Sequence, residues 1–272
     1  MQRPSRTKTF LPLSFSAGGF ILTFMLNSLI IAITFITIIP VPSRIIPEWN
    51  SRNLRYFCLM LPATGLIFSL LWLAVLHMLM MIPTVSTILR GFMMMIFTLL
   101  LTGGLHMDGL MDTCDAVFSH RDRETKLRIL SDTHAGSFAV IGCVVIMIAK
   151  TLLFSELLTL SAKPYSLALI PVYSRLGMGV LLNNLPFAKS GGLAVMLGSS
   201  RNRFDNFAFL TMFMVISALS MNVIPAAFIL CLAVHVVICK KIFGGITGDL
   251  LGAFVEASEV IMLTGMVISG CI

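Results

Sequence analysis

Apolar runs separated by short polar connectors fill almost the whole chain. Candidate elements fall at 20–40, 56–82, 84–105, 134–159, 166–183, 206–222, 225–239 and 250–271, several of them interrupted by Gly or Pro. A hydrocarbon core of about 30 Å takes roughly 20 residues of helix to cross, and most of these runs approach or exceed that length. They lack the apolar/polar alternation of a barrel strand. Backbone exposed to lipid must satisfy its own N–H and C=O groups, which leaves helices. The pattern therefore predicts an all-α, polytopic membrane helix bundle of about seven spanning helices.

The first run is a special case. Residues 1–18 are polar and basic, and no small-residue cleavage site precedes Pro40, so the run does not read as a signal peptide. Arg3, Arg6 and Lys8 lie before it and Arg44, Arg52 and Arg55 after it, so both ends favour the same side of the membrane. The expectation is a re-entrant first segment ended by Pro40-Val41-Pro42, with residues 1–24 as an N-terminal extension and 25–272 as a single membrane-embedded domain.

Composition agrees with a membrane reading. The chain is 57% hydrophobic and only 11% charged, with a mean hydropathy of +0.98, whereas soluble domains carry more than twice that charge. A net charge of +7 raises the possibility of nucleic acid, but the basic residues are scattered between apolar runs with no interleaved aromatics, so no nucleic-acid partner is expected. If the 106–133 loop is cytoplasmic, twelve Lys and Arg residues fall inside: Arg44, Arg52, Arg55, Arg121, Arg123, Lys126, Arg128, Lys189, Arg201, Arg203, Lys240 and Lys241. Lys163 alone falls outside, as the positive-inside rule demands. The six cysteines include no CxxC pair and so indicate neither a disulfide framework nor a zinc site.

The densest polar stretch is Gly103-Gly104-Leu105-His106-Met107-Asp108-Gly109-Leu110-Met111-Asp112-Thr113-Cys114-Asp115. Asp108, Asp112 and Asp115 stand at i, i+4 and i+7, which stacks three carboxylates on one helical face. Like charges stacked this way repel unless a cation sits among them. Hard oxygen donors suit Mg²⁺, Mn²⁺ or Ca²⁺, and Mg²⁺ leaves coordination sites free for substrate phosphate. Asp132 is a further candidate ligand. His106 and His134 are candidate acids, bases or phosphate donors near neutral pH. A solvated acidic turn is the plain alternative.

A second cluster runs from Gly244-Gly245-Ile246-Thr247-Gly248-Asp249 to Glu256 and Glu259. A Gly-rich loop feeding a helix N-terminus presents free N–H groups to an anion, so Gly244, Gly245, Thr247, Asp249, Glu256 and Glu259 join the substrate-binding candidates. Lys150 and Arg175 are cations inside apolar runs and need a partner there, either the acidic clusters or a bound phosphate. Arg175, with its planar fork, is the stronger phosphate candidate.

These blocks, with Arg121-Asp122-Arg123-Glu124, Ser131-Asp132-Thr133-His134-Ala135-Gly136, Ser174-Arg175 and Thr34-Phe35-Ile36-Thr37-Ile38-Ile39-Pro40-Val41-Pro42, resemble the membrane-embedded cobalamin synthases, or adenosylcobinamide-GDP ribazoletransferases. The resemblance covers nearly the whole chain after Met25. It implies Mg²⁺-dependent joining of adenosylcobinamide-GDP and α-ribazole, or its 5′-phosphate, to give adenosylcobalamin, or its 5′-phosphate, with release of GMP. It further implies a multi-pass protein of a prokaryotic cytoplasmic membrane, with its site facing the cytoplasm and the lipid bilayer as its surroundings. A homodimer is the assembly entertained, although the sequence itself sets no oligomeric state. The chain departs from the family pattern at Ala116-Val117, and at His134 and Ile38, where members often carry Arg, so the resemblance leaves open which cations hold the phosphates. The Asp-rich stretch is also similar to that of CDP-alcohol phosphotransferases. A polytopic transporter with intramembrane charges is the reading from another class.

Overall fold

The computed structural model describes residues 17–160, 164–191, 197, 201–220 and 223–270. Among them the chain forms ten α-helices and no strand: α1 (Ala17–Ile36), α2 (Phe57–Met80), α3 (Thr87–Leu101), α4 (Leu105–Phe118), α5 (Arg123–Ile129), α6 (Ser137–Thr159), α7 (Pro164–Asn184), α8 (Asp205–Ser220), α9 (Ile224–Ile238) and α10 (Gly248–Ser269). A five-residue π turn, Cys239–Phe243, extends α9. Six helices are long and apolar enough to cross a membrane, or seven if the bent pair α3–α4 counts as one broken span. The expected bundle is thus what forms, and the protein is a multi-pass membrane protein by the length and composition of its helices.

The predicted runs match the long helices to within a few residues, because each ends at an identifiable stop. Ser86 caps α3 by accepting the N–H of Leu89, and Thr247 does the same for Leu250 at the start of α10. Gly270 closes α10 in the left-handed conformation, which a residue without Cβ enters freely.

Helix α7 runs through the middle, with Ile170, Tyr173, Leu176 and Leu181 all buried. It packs most intimately on α2. A Cβ at Gly65 would lie 2.6 Å from the Pro171 carbonyl oxygen and 2.7 Å from Val172 Cα, so the two backbones approach as only a glycine allows. Trp72 of α2 meets Phe154 of α6 edge to face at 5.1 Å, which ties the outer layer to this core. Around the outside, α6 exposes Val140, Ile141, Val144, Val145, Ile148 and Leu152. Apolar exposure on this scale marks a lipid-facing surface.

The first segment departs from expectation. Instead of turning back, α1 is an uninterrupted helix of 20 residues, about 30 Å at 1.5 Å per residue. It starts at Ala17, so residues 17–24, expected to be part of an extension, belong to the same helix as 25–36. Arg3, Arg6 and Lys8, which suggested the turn, lie outside the described residues. The break lies instead between α3 and α4, which meet at 91°. Gly103 (φ 61°) and Gly104 (φ 79°) make that elbow, both in the left-handed region that a side chain would strain.

Candidate functional site

The elbow explains how a polar helix is placed in an apolar protein. The C-terminal end of α3 delivers the chain to one end of the bundle, the two glycines turn it, and α4 then crosses that end instead of continuing through it. At 14 residues α4 is too short to span alone. Other connections converge on the same end. Ile38 after α1 donates its N–H to the Leu101 carbonyl. The segment after α7 pairs with the turn before α10, where Ile246 N–H donates to Pro186 O and Ala188 N–H to Ile246 O. Arg55 reaches Asp205 at 3.5 Å. All twelve basic residues sorted to one side belong to these connections or flank them, so the charge sort and the fold agree.

Across this end α4 lies against the start of α10. A Cβ at Gly109 would sit 2.6 Å from the Asp249 carbonyl oxygen, and one at Gly252 would sit 3.0 Å from that of His106. Two glycines, one on each helix, therefore set the crossing. It brings Asp249 into the field of Asp108 and Asp112. Burial, followed by repulsion from Asp108, Asp249 and Asp115, pushes the half-buried Asp112 carboxyl up to about 6, with Lys189 as the opposing cation. Like charges close enough to raise a carboxyl in this way also repel one another across the crossing. No three His, Cys, Asp or Glu side chains among the described residues converge into a ready-made metal cage. Mg²⁺ usually needs none, since it takes one or two carboxylates and completes its shell with water and substrate phosphates.

The predicted residues divide into those that share this mouth and those that do not. Asp108 is exposed and Asp112 half-buried on α4, as the i, i+4 spacing requires. Asp115 is on the same face, yet its two oxygens accept the N–H groups of Gly136 (2.6 Å) and Ala139 (2.9 Å). It caps α6, the favourable place for a negative charge, and Asp249 is the better-placed third carboxylate. Asp132 pairs with His134 at 2.7 Å in the exposed loop before α6 and is not among the charges that act on Asp112. The expected anion cradle at Gly244–Gly245 is filled: the Arg123 guanidinium sits on Gly244, and the 186–188 backbone sits on Gly245. Thr247 is spent as the cap of α10.

His106 is two positions from Asp108, which turns it about 200° around the helix and away from the acidic face. It is buried at 1% exposure, and among the described residues its Nε2 finds no hydrogen-bond partner. Lys150 and Arg175 likewise lie inside. Lys150 Nζ bonds Glu256 at 2.6 Å and Glu259 at 2.7 Å, while Arg175 bonds the other oxygen of Glu259 and Ser174 Oγ, at 2.8 Å for the latter. Its guanidinium also lies 4.1 Å from the centre of the Phe68 ring. Two cations and two anions thus close on each other across α6, α7 and α10, so the phosphate-binding expectation for Lys150 and Arg175, and the substrate-binding one for Glu256 and Glu259, give way to a structural role. The cation that acts on Asp112 and Asp249 is Lys189, which also donates to Ser131 Oγ. Sequence reading had used Lys189 only for topology. Lys189 gains its place from the pairing of 186–188 with Ile246, which no local pattern announces.

Gly109 is the most sensitive point of this arrangement. Gly109→Ala inserts a methyl where Asp249 backbone stands, at a cost of about 1–3 kcal/mol if the helices part to admit it. The expected result is a loss of activity of at least about tenfold, because Asp108 and Asp112 move away from Asp249. Turnover equal to that of the unaltered protein would show that the crossing does not set the site.

Helices of membrane-spanning length with a cluster of carboxylates and an opposing lysine at one end define an integral-membrane protein with a charged site at the end of its bundle. Residues 28–267 match the family model described as cobalamin-5-phosphate synthase, and the chain belongs to that family. It is 33% identical over 248 residues to the adenosylcobinamide-GDP ribazoletransferase of Halalkalibacterium halodurans, covering 87% of this chain and 94% of the relative. The protein of the same name from Desulfitobacterium hafniense is 31% identical over 252 residues, covering 88% and 96% respectively. That of Clostridium botulinum is 29% identical over 246 residues. No solved structure matches the chain.

Proposed function

We propose that this protein is an adenosylcobinamide-GDP ribazoletransferase that joins adenosylcobinamide-GDP to α-ribazole or its 5′-phosphate and releases GMP, from the cytoplasmic face of a prokaryotic cytoplasmic membrane. The observation that carries this reading is the meeting of Asp249 from α10 with Asp108 and Asp112 of α4, with Lys189 as the opposing cation, in a chain of this family. Hard carboxylate donors that repel one another suit Mg²⁺, and Asp112 together with Asp108 or Asp249 would hold it, with substrate phosphate and water completing its shell. Bound there, Mg²⁺ supplies charge neutralisation for the diphosphate and its leaving oxygen.

The chain's own groups do the rest. Lys189 holds the outer phosphate oxygens and orients the diphosphate in line with the acceptor. A ribose hydroxyl oxygen of the ribazole forms a bond to the phosphorus that carries cobinamide, the bond from that phosphorus to the GMP oxygen breaks, and GMP leaves with the electron pair. Asp108, exposed and with its carboxylate bonded to no described residue, is the group placed to accept the hydroxyl proton. Asp115 acts indirectly, by fixing the start of α6 against α4.

Incubating the purified protein with adenosylcobinamide-GDP and α-ribazole, with Mg²⁺ or with a chelator, tests this directly. GMP and a ribazole-bearing corrinoid are expected only when both substrates and Mg²⁺ are present. Undiminished GMP release in chelator overturns the metal assignment; CMP release from a CDP-alcohol, with none of GMP, overturns the substrate assignment.

A further inference from the structure

An open cavity of about 630 Å³ lies where the end of α1 meets the α3–α4 elbow, lined by Phe35, Ile38, Leu99, Gly104, Met107 and Asp108 among others. We infer that it is the seat of the acceptor nucleoside, with the apolar base against Phe35, Ile38 and Met107 and a ribose hydroxyl at Asp108. The inference rests on the ribazoletransferase reading and assigns one of its two substrates to a place in the fold.

Size makes the first selection. A cavity of this volume falls within the roughly 300–1,000 Å³ that accommodates drug-sized ligands. A nucleoside fits it, whereas a corrinoid macrocycle with its side arms, adenosyl group and diphosphate does not. Chemistry makes the second. Among the described residues no Lys, Arg or His lines the cavity, and Asp108 is the one charged side chain there. The donors beside Asp108 are already committed: Thr37 Oγ donates to Ile33 O, Thr102 Oγ to Leu99 O, and the Gly103 and Gly104 N–H groups to Leu100 O and Leu99 O. A diphosphate would find neither a cation nor a free donor among these groups, whereas a base laid on Phe35, Ile38 and Met107 needs neither.

Geometry supplies the link to chemistry. Asp108 belongs both to this cavity and to the carboxylate cluster with Asp112 and Asp249, so a hydroxyl held at Asp108 stands beside the place where the diphosphate is held. The elbow glycines keep that wall thin. Ile38 packs one methyl group where a Gly103 side chain would be, and a side chain on Gly104 would project into open space.

Ile38→Trp tests the assignment, because Ile38 is 61% exposed and a larger side chain there can fill the cavity without entering the core. Leu105→Trp, at a position 43% exposed on the same wall, is the second variant should the first not fold. Expected is a rise of about tenfold or more in KM for α-ribazole, with KM for adenosylcobinamide-GDP within about twofold of the unaltered protein. A rise confined to the corrinoid substrate assigns the cavity to the other partner and overturns the inference, and so does an unchanged KM for both in variants that retain the unaltered unfolding midpoint. If the unaltered protein itself releases no GMP from the two substrates, the ribazoletransferase reading fails first and takes the inference with it.

Discussion

Asp112→Asn is expected to cut GMP release by about 10³-fold or more without weakening the fold. The two halves of that statement come from the same surroundings. Asp112 has Asp108, Asp249 and Asp115 around it and is itself partly buried, and these push its acidity into the range near 6. Asn keeps the shape and removes one of four mutually repelling charges, so the variant is expected to unfold at the same temperature as the unaltered protein or above it. What it loses is a negative oxygen for the proposed Mg²⁺. Circular dichroism through a thermal ramp and GMP release from adenosylcobinamide-GDP and α-ribazole check both halves on one preparation. An inactive but less stable variant would mean that Asp112 supports the fold, and a stable variant with near-normal turnover would remove it from the metal site.

The bundle was legible because lipid imposes a simple code: a helix must be about 20 apolar residues long, and α2, α6 and α10 obey it almost to the residue. The i, i+4 pair Asp108 and Asp112 was legible for a similar reason, since spacing on one helix fixes a shared face. What the sequence hid were the relations between helices. Asp115 has the right spacing to face the metal, but spacing says nothing of the α6 N-terminus that arrives to claim it. Asp249 and the Gly109–Gly252 crossing depend on how α4 lies on α10, and α4 has that freedom only because Gly103 and Gly104 break the run that pattern reading had carried from 84 to 105. Lys189 reaches the mouth through backbone pairing with Ile246. Even the first segment was misjudged for want of a neighbour: the charges on its two sides suggested a turn, whereas the helix beginning at Ala17 packs straight along α2.

The buried charges yield the sharpest contrast between a structural and a substrate-binding role. Lys150→Met is expected to cost about 3–5 kcal/mol of stability, because it leaves Glu256 and Glu259 facing Arg175 alone in the bundle interior. All four side chains are 4% exposed or less, so neither water nor salt replaces the missing cation. Adding Glu256→Gln to Lys150→Met restores one positive and one negative charge, and the pair of changes is expected to recover most of the loss. Denaturant unfolding of the two single variants and the double variant measures this coupling. KM for both substrates should stay close to that of the unaltered protein in the double variant, since the quartet is closed on itself beneath the mouth. If Lys150 instead holds a substrate phosphate, the outcome reverses: Lys150→Met would unfold normally, KM for the corrinoid substrate would rise, and Glu256→Gln would restore nothing. The two roles therefore separate on which measurement moves, stability or KM.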